Sequence, residues 1–361
     1  MTNANFHLVV MPGDGIGPEV IEATVAVLDA VTARHGITFT KEYVNAGAQQ
    51  YKETGVAITE ANLVSAEKAD AILFGAMGLP DIRYPDGTEP APQLDLRFRM
   101  ELYAGLRPIR AIPGVPLVLA SPRAKDIDFA LVRESIEGLF ASRGKGTVED
   151  NRIARDTMVI TRDVTERLSH FSFALAKRRV ARRRVKSGKG VVTLVDKSNA
   201  FRSFAFMRQV FFETAAHHPD VEARQQSVDA VALDLVRRPW DYDVLVTENM
   251  FGDILSDLGA GLVGGMGFAP SGDIGDNHAL FQPCHGSAPD IAGRGIANPT
   301  AAILSAALML DWLAVRHGLE TCAEAAQEIE GRCGCSLCLR FCPFLRYWRY
   351  GWDGSGRQSG H

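Results

Sequence analysis

Short apolar segments alternate with longer amphipathic ones along most of this chain. Five of the apolar segments are typical of buried strands, at residues 7–11, 69–74, 129–132, 190–195 and 243–246. Strands that alternate with helices in this way indicate a sheet covered by layers of helices. The pattern therefore predicts an α/β fold, and the Pro-rich residues 108–122 and Gly-rich residues 264–275 are predicted to cross between two lobes.

A glycine-rich turn at residues 12–17 follows the first predicted strand. Pro18 then begins a helix, because proline is well suited to the first helical position. The glycine spacing is G-x-G-x-G, whereas the dinucleotide-binding fingerprint is G-x-G-x-x-G, and no acidic residue ends a strand about twenty residues later. The turn therefore indicates a sharp bend or a close backbone approach, and it is not the fingerprint of a Rossmann fold.

The composition excludes several classes of protein. The 361 residues are 46% hydrophobic and 23% charged, with a net charge of −4, so the chain is neither mainly disordered nor strongly attracted to polyanions. Its longest apolar stretch, residues 300–310, is shorter than the roughly 20 residues that span a bilayer, and the first residues lack a basic signal region. We expect a cytoplasmic protein with no nucleic-acid or membrane partner. The basic run at residues 177–189 is interpreted as a solvated helix end and loop.

Asp253 and Asp257 lie four residues apart in the segment ENMFGDILSD, which follows an apolar strand and begins a helix. This spacing puts both carboxylates on one face of the helix, where like charges are mildly destabilising unless a cation lies between them. Because carboxylate oxygens suit a hard divalent ion, a Mg²⁺ or Mn²⁺ site is one interpretation. An exposed acidic face is the other.

Two further groups of residues are candidates for binding a small ligand. Residues 285–293, HGSAPDIAG, are small enough for a ligand to approach the backbone, and their Asp could accept both ribose hydroxyls of an adenosine. A surface turn is the alternative interpretation. Arg97, Arg107 and Arg133 lie beside apolar segments, and guanidinium groups bind carboxylates in a bidentate manner. Together these arginines would suit a small di- or tricarboxylic acid.

These segments resemble the metal-dependent β-decarboxylating dehydrogenases, the family of the isopropylmalate, isocitrate, homoisocitrate, tartrate and D-malate enzymes. The matching segments occur in family order over about residues 7–330 and are PGDGIGPEV, LYAGLRP, LVRES, VDKSN, VDAVALDLV, ENMFGDILSDL and HGSAPDIAGRGIANP. The resemblance implies a two-lobed α/β/α sandwich of the isopropylmalate dehydrogenase type, not a Rossmann fold. It implies a larger cofactor-side lobe from residues 1–102 and 264–330, and a smaller lobe from residues 103–263 with the dimer interface.

The resemblance also implies roles for individual residues. Lys197 and Asp229 are implied to be catalytic, each supplied by the partner subunit of a homodimer with shared active sites. The implied substrate-binding residues are Arg97, Arg107 and Arg133. The implied metal ligands are Asp229, Asp253 and Asp257. The implied cofactor-binding residues are His285, Gly286, Ser287, Ala288, Asp290 and Asn298. An acidic residue at position 290 implies NAD, because it would repel the 2′-phosphate of NADP.

The resemblance thus predicts an NAD- and Mg²⁺- or Mn²⁺-dependent dehydrogenase. Its substrate would be a malate-type 2-hydroxy di- or tricarboxylic acid, such as D-malate, tartrate or 3-isopropylmalate, oxidised with β-decarboxylation. A (homo)isocitrate dehydrogenase, or a catalytically impaired or regulatory member of the family, is the alternative.

Two positions depart from the family pattern. Most relatives carry a tyrosine at the position of Phe140, and a phenyl ring cannot donate the proton that the enol carbon needs after decarboxylation. We therefore expect slow decarboxylation of some substrates. The helix that reads the substrate's side group is leucine-rich in isopropylmalate enzymes but holds Gln93 here, where an isopropyl group would lie. This polarity favours the tartrate and D-malate branch.

The last segment, residues 331–361, does not resemble the family and contains four of the six cysteines. Cys335, Cys338 and Cys342-Pro343 imitate part of an iron–sulfur motif, but the first cysteine of that motif is missing. With suitable codons, a shift of one base turns this segment into one like the family's C-terminal sequence. We therefore interpret it as an aberrant tail read out of frame, which the nucleotide sequence would test.

Overall fold

The computed structural model describes residues 4–182 and 188–333. Its strands are β1 (Ala4–Met11), β2 (Ile37–Tyr43), β3 (Ala71–Phe74), β4 (Ala104–Arg110), β5 (Asp128–Glu134), β6 (Thr147–Glu149), β7 (Ile153–Arg155), β8 (Gly190–Asp196), β9 (Val221–Ser227), β10 (Val244–Thr247), β11 (Pro270–Ile274) and β12 (Ala279–Pro283). Its α-helices are α1 (Gly17–Thr32), α2 (Ala48–Thr54), α3 (Glu60–Lys68), α4 (Pro92–Arg99), α5 (Arg162–Ala181), α6 (Arg202–Ala215), α7 (Val228–Arg237), α8 (Asn249–Leu262), α9 (Thr300–His317) and α10 (Glu320–Arg332).

Ten strands form one mixed sheet in the order β2-β1-β3-β12-β11-β4-β5-β10-β8-β9. The first four strands in this order are parallel to one another, and so are the last four. Between these two parallel blocks lie β11 and β4, which pair antiparallel with their neighbours. β6 and β7 form a separate hairpin. The predicted α/β class is confirmed, and each of the five predicted strands is present as β1, β3, β5, β8 or β10.

One face of the sheet is covered by a single continuous apolar core. Alternate strand residues, such as Leu8 and Val10 of β1 and Val244 and Val246 of β10, pack there against α1, α5, α9 and α10. The strands are apolar on both sides because a parallel sheet between helical layers is buried on both faces. This face, which we call the continuous face, spans both parallel blocks.

The opposite face carries two separate apolar cores. One contains Val9 and Met11 of β1 together with residues of α3 and α4. The other contains Phe129 and Leu131 of β5 together with residues of α7 and α8. We call this the divided face. The gap between its two cores lies over the antiparallel strands in the middle of the sheet, where the functional cavity described below is found.

The glycine turn at residues 12–17 is a close backbone contact, as the spacing indicated. Gly13 has a φ of +83°, and a Cβ there would lie 2.2 Å from the Ala76 carbonyl oxygen. A Cβ on Gly15 would lie 2.1 Å from the Ser287 carbonyl oxygen, while Ile16 N–H donates to that same oxygen over 2.8 Å. The turn therefore fixes the loop after β12 against the start of α1.

Several other sequence predictions can be compared with the fold. The basic run is not wholly solvated, because Arg179 is buried and its Nε lies 2.7 Å from Asp243 Oδ1. Within the two described ranges, no helix combines the length and apolarity needed to cross a bilayer. Helix α10 continues to Arg332 and Cys333 packs in the continuous core, whereas residues 334–361 lie outside the described residues. The lobe boundaries and the out-of-frame tail stay predictions.

Candidate active site

A cavity of about 790 Å³ occupies the gap in the divided face. Its walls come from both halves of the sheet, because the ends of β3 and β12 face α8 and the loop after β5 across it. The three arginines and the two helical aspartates singled out from the sequence all line this one cavity. They are Arg97, Arg107, Arg133, Asp253 and Asp257.

Arg97 and Arg107 are held by a buried carboxylate that the sequence reasoning did not identify. Asp273 of β11 accepts a hydrogen bond from Arg97 Nε over 3.0 Å, and its other oxygen lies 3.3 Å from Arg107 Nη2. Burial acts to raise the pKa of Asp273, but Arg97, Arg107 and Arg133 outweigh it and hold that pKa below its ordinary value. Asp273 therefore orients both guanidinium groups as a permanent anion.

Arg133 is positioned by the first turns of α8. Its Nε and Nη2 donate to Asn249 Oδ1 over 2.9 and 2.7 Å, and its Nη1 pairs with Asp253. A Cβ on Gly252 would lie 2.6 Å from Arg133 Cγ, so only glycine lets the helix approach this closely. Burial, followed by repulsion from Arg97, lowers the pKa of Arg133 to about 10, which leaves it cationic at neutral pH.

Asp253 and Asp257 lie on the side of α8 that faces the cavity, as the helical spacing predicted. Burial and then the charge of Asp253 raise the pKa of Asp257, while Arg107 and Arg133 act to lower it. A divalent cation bound by both carboxylates would offset the repulsion between them. Among the described residues of one chain, no group of three or more His, Cys, Asp or Glu side chains could hold a metal ion. The two carboxylates fit part of the coordination shell of Mg²⁺ or Mn²⁺.

Lys197 and Asp229 pair with each other away from the cavity. Lys197 Nζ lies 2.6 Å from Asp229 Oδ1, at the junction of β8 and α7, and neither side chain lines the cavity of its own chain. Within a single chain, therefore, the structure does not bring the predicted catalytic pair to Asp253 and Asp257. Their roles stay predictions that depend on a second subunit.

The six residues predicted to bind a cofactor lie in the loop between β12 and α9. His285 and Gly286 line the cavity, and His285 Nε2 is buried without a hydrogen-bond partner among the described residues. Ser287 is buried against the glycine turn, and Ala288 has an unusual φ of +35°. Asp290 is exposed, whereas Asn298 Oδ1 accepts from Thr300 at the start of α9.

Phe140 and Gln93 both line the cavity, so the two departures from the family pattern are at the ligand-facing surface. The Phe140 ring lies 5.2 Å from the Arg133 guanidinium carbon, a cation–π distance. Gln93 is on α4, one turn before Arg97, and its buried carboxamide oxygen has no hydrogen-bond partner within residues 4–182 and 188–333.

Sequence reasoning missed Asp273 and Asn249, which position the arginines, and Ser271 and Gln282, which line the cavity. A weak signal for three of them was present. Strands β11 and β12 read PSGDI and ALFQP, where Ser271, Asp273 and Gln282 interrupt an apolar pattern on one face only. A polar residue at alternate positions of an otherwise apolar central strand indicates a polar site on that face.

The protein is a mixed α/β sandwich, and the cavity at the centre of its sheet is lined by arginines and carboxylates. A model of the isocitrate/isopropylmalate dehydrogenase family matches residues 7–336. The chain therefore belongs to that family of β-decarboxylating dehydrogenases, as the resemblance predicted.

Individual relatives agree with this assignment. The chain is 42% identical over 322 residues to the 3-isopropylmalate/3-methylmalate dehydrogenase of Methanocaldococcus jannaschii, a match that covers 89% of this chain and 90% of that protein. It superposes on the isocitrate dehydrogenase of Methylococcus capsulatus with a TM-score of 0.75 at 32% identity, covering 91% of this chain and 99% of the other. For a β-decarboxylating dehydrogenase of Thermococcus kodakarensis the TM-score is 0.70 at 37% identity, covering 91% and 96%.

Proposed function

We propose that this chain is an NAD- and divalent-metal-dependent enzyme that oxidises, and slowly decarboxylates, a malate-type 2-hydroxy acid. The observation that carries the proposal is the convergence of Arg97, Arg107 and Arg133 with Asp253 and Asp257 on one cavity. Arginines suit the substrate's carboxylates, and the acidic pair suits a cation beside them. The name of the Methanocaldococcus relative supports a malate with a small alkyl group at C3, and Gln93 supports D-malate or tartrate.

The active unit that we propose is a homodimer. Helices α7 and α8 contact each other and expose Leu233 and Ile254, at 56% and 62%, which supports an apolar interface there. Because Lys197 and Asp229 are held together at 2.6 Å at the start of α7, one subunit would present both to its partner's cavity. The partner's Asp229 would then be a metal ligand together with Asp253 and Asp257.

The chain's own residues would divide the chemistry as follows. The arginines hold the substrate's carboxylates and so fix its hydroxyl carbon. Lys197, as the free amine, would take the hydroxyl proton at Nζ, directly or through water. Asp253 and Asp257 would hold Mg²⁺ or Mn²⁺, which would supply Lewis-acid chemistry, and the loop of His285 and Asp290 would hold NAD, which would supply hydride-acceptor chemistry. Exposed Asp290 would favour NAD over NADP by repelling a 2′-phosphate.

A substrate panel tests this proposal. Purified protein is assayed for NADH formation with D-malate, tartrate, 3-isopropylmalate and isocitrate, with Mg²⁺ or Mn²⁺ and after EDTA treatment. We expect metal-dependent turnover of at least one dicarboxylic acid, and its near abolition in Lys197→Ala. Lys177→Ala is the matched control, because Lys177 pairs with Asp220 outside the site. Inactivity of the wild type towards every acid would contradict the proposal, as would full activity of Lys197→Ala.

The slow decarboxylation is tested separately by Phe140→Tyr. General acid catalysis contributes roughly 10²–10⁴-fold, so restoring a hydroxyl should raise the ratio of CO₂ to NADH by about tenfold or more. Carbon dioxide and the 2-oxo acid are quantified for each variant. Stoichiometric CO₂ release by the wild type at the rate of NADH formation would show that another group supplies the proton.

A further inference from the structure

Asp14 is a buried carboxylate at the tip of the glycine turn, outside the described lining of the cavity. Its Oδ2 accepts hydrogen bonds from Ala48 N–H and Gly78 N–H over 2.7 and 2.8 Å, and its Oδ1 accepts from Gln49 N–H over 2.9 Å. The backbone N–H of Asp14 donates to the Ala76 carbonyl oxygen over 2.8 Å. One residue therefore joins the glycine turn to the first residues of α2 and to the loop after β3.

Gly78 connects Asp14 to the loop between β12 and α9, which is predicted to bind the cofactor. Its N–H donates to Asp14, and its carbonyl oxygen accepts a hydrogen bond from Ser287 Oγ. The Ser287 carbonyl oxygen in turn accepts from Ile16 N–H of the glycine turn over 2.8 Å. The predicted cofactor loop is thus attached on two sides to segments that Asp14 orders.

The substrate side of the cavity is positioned by different groups. The arginines are held by Asp273 and Asn249, which lie on β11 and α8. Asp14 instead orders segments at the ends of β1 and β3, where the cavity wall includes Ala76 and Met77. A change at Asp14 should therefore act on cofactor binding and leave the binding of a carboxylic acid nearly unchanged.

We propose that Asp14 is a positioning residue for the nicotinamide cofactor. It holds Gly78, and through Gly78 it holds Ser287, in the arrangement that binds NAD. This inference rests on the proposed function, because it assumes that the loop between β12 and α9 binds NAD. It deepens that function by assigning part of the affinity for NAD to a carboxylate that does not contact the cavity.

Asp14→Asn tests the proposal with almost no change in side-chain shape. Both carboxylate oxygens accept backbone N–H groups, so the amide nitrogen faces at least one of these donors whichever way it turns. We expect the Kd of NADH, measured by fluorescence titration of the full-length protein with Mg²⁺, to rise about tenfold or more, because a buried N–H loses its charged acceptor. At saturating NAD, the KM of the acid that the wild type oxidises fastest should change by less than about twofold.

Asp243→Asn is the matched control for a lost buried carboxylate. Asp243 also accepts a backbone hydrogen bond, from Val191 N–H over 3.0 Å, but it lies in the other half of the sheet. Its replacement should leave the Kd of NADH close to that of the wild type.

A pair of glycine variants displaces the Asp14 carboxylate without removing it. A Cβ on Gly47 would lie 2.4 Å from Asp14 Oδ2, whereas a Cβ on Gly55 would meet nothing within 4 Å. The two glycines flank α2 and both have a positive φ, so an alanine is strained at either position. Gly47→Ala should weaken NADH binding as Asp14→Asn does, and Gly55→Ala should not. This pair keeps the inference testable should Asp14→Asn fail to fold.

Equal NADH affinities of the wild type, Asp14→Asn and Gly47→Ala would overturn the inference while leaving the proposed function intact. An equal loss of affinity in Asp243→Asn, or a parallel rise in the KM of the acid, would also overturn it, because the effect would then be a general loss of structure. A wild type that binds no NADH would overturn both the inference and the proposed function.

Discussion

The two faces of the central sheet differ in what they bury. The continuous face packs one apolar core across both parallel blocks, whereas the divided face is split by a charged seam of Arg97, Arg107, Arg133 and Asp273. Because successive strand residues point to opposite faces, a single strand serves both purposes. On β5, Val132 joins the continuous core while its neighbour Arg133 lines the cavity. The comparison indicates that stability and ligand binding are assigned to opposite sides of the same strands.

The largest effect should follow from removing an arginine of the seam. Arg133→Ala leaves Asn249 and Asp253 without their buried cation, and truncating one partner of such a pair costs about 2–5 kcal/mol. Assigned to the transition state, this is roughly a 30- to 5,000-fold loss of kcat/KM. Arg123→Ala, on an exposed arginine stacked over Trp240 at 4.9 Å, should stay close to wild type. Equal activities of Arg133→Ala and Arg123→Ala would contradict a role of the charged seam in substrate binding.

Truncation on the continuous face should instead change stability. Leu310 of α9 is fully buried, and Leu310→Ala should lower the free energy of unfolding by about 2–5 kcal/mol through lost burial and a cavity. Its kcat/KM should match the wild type at temperatures where both are folded. Val315→Ala, on the exposed part of the same helix, should cost about 0.5 kcal/mol or less. A large fall in kcat/KM of Leu310→Ala would show that packing on the continuous face affects the cavity on the divided face.

The smallest effect is expected on the divided face outside the seam. Asp234 of α7 accepts hydrogen bonds from Arg238 and Gln226, and these hold its pKa at about 2. Because folding lowers this pKa, the Asp234 carboxylate stabilises the native state at pH values above its ordinary pKa. This contribution is lost as the pH falls towards 2. Asp234→Asn should therefore cost about 1 kcal/mol or less at pH 7, because its partner Arg238 is exposed and solvent screens the pair.

Urea unfolding of the wild type and Asp234→Asn at several pH values between 7 and 3 measures this contribution. The difference between the two should shrink below about pH 4, since the Asp234 carboxylate of the unfolded chain then begins to protonate while that of the native protein stays ionised. A difference that stays constant with pH would assign the effect to packing of α7 instead of the charge of Asp234.

Much of this organisation could be predicted from the sequence. The alternation of apolar and amphipathic segments predicted the fold class, and the four-residue spacing of Asp253 and Asp257 predicted their shared face. Both are local patterns. Arg97, Arg107 and Arg133 were chosen for their chemistry and their resemblance to the family, and their convergence needed the structure.

The pairing partners could not be predicted, because they depend on contacts between distant strands. Asp273 lies 176 residues from Arg97 and 166 from Arg107 in the sequence, and Asn249 lies 116 from Arg133. Gln93 shows that the chemistry of one side chain does not identify the substrate. Its polarity favoured the tartrate and D-malate branch, whereas the relative from Methanocaldococcus is a 3-isopropylmalate/3-methylmalate dehydrogenase. A single side chain in a cavity of this size discriminates by only about 1–3 kcal/mol, so the substrate stays a prediction.

The antiparallel strands at the middle of the sheet also have a consequence for folding kinetics. β11 and its neighbour β4 are separated in the sequence by residues 111–269, and such non-local pairing slows folding. The cavity therefore cannot form until this strand is inserted between the two blocks. During refolding, we expect the strands β2-β1-β3 and β5-β10-β8-β9 to gain protection from hydrogen exchange before β11 and β12. The capacity to bind a carboxylate should appear in the last kinetic phase.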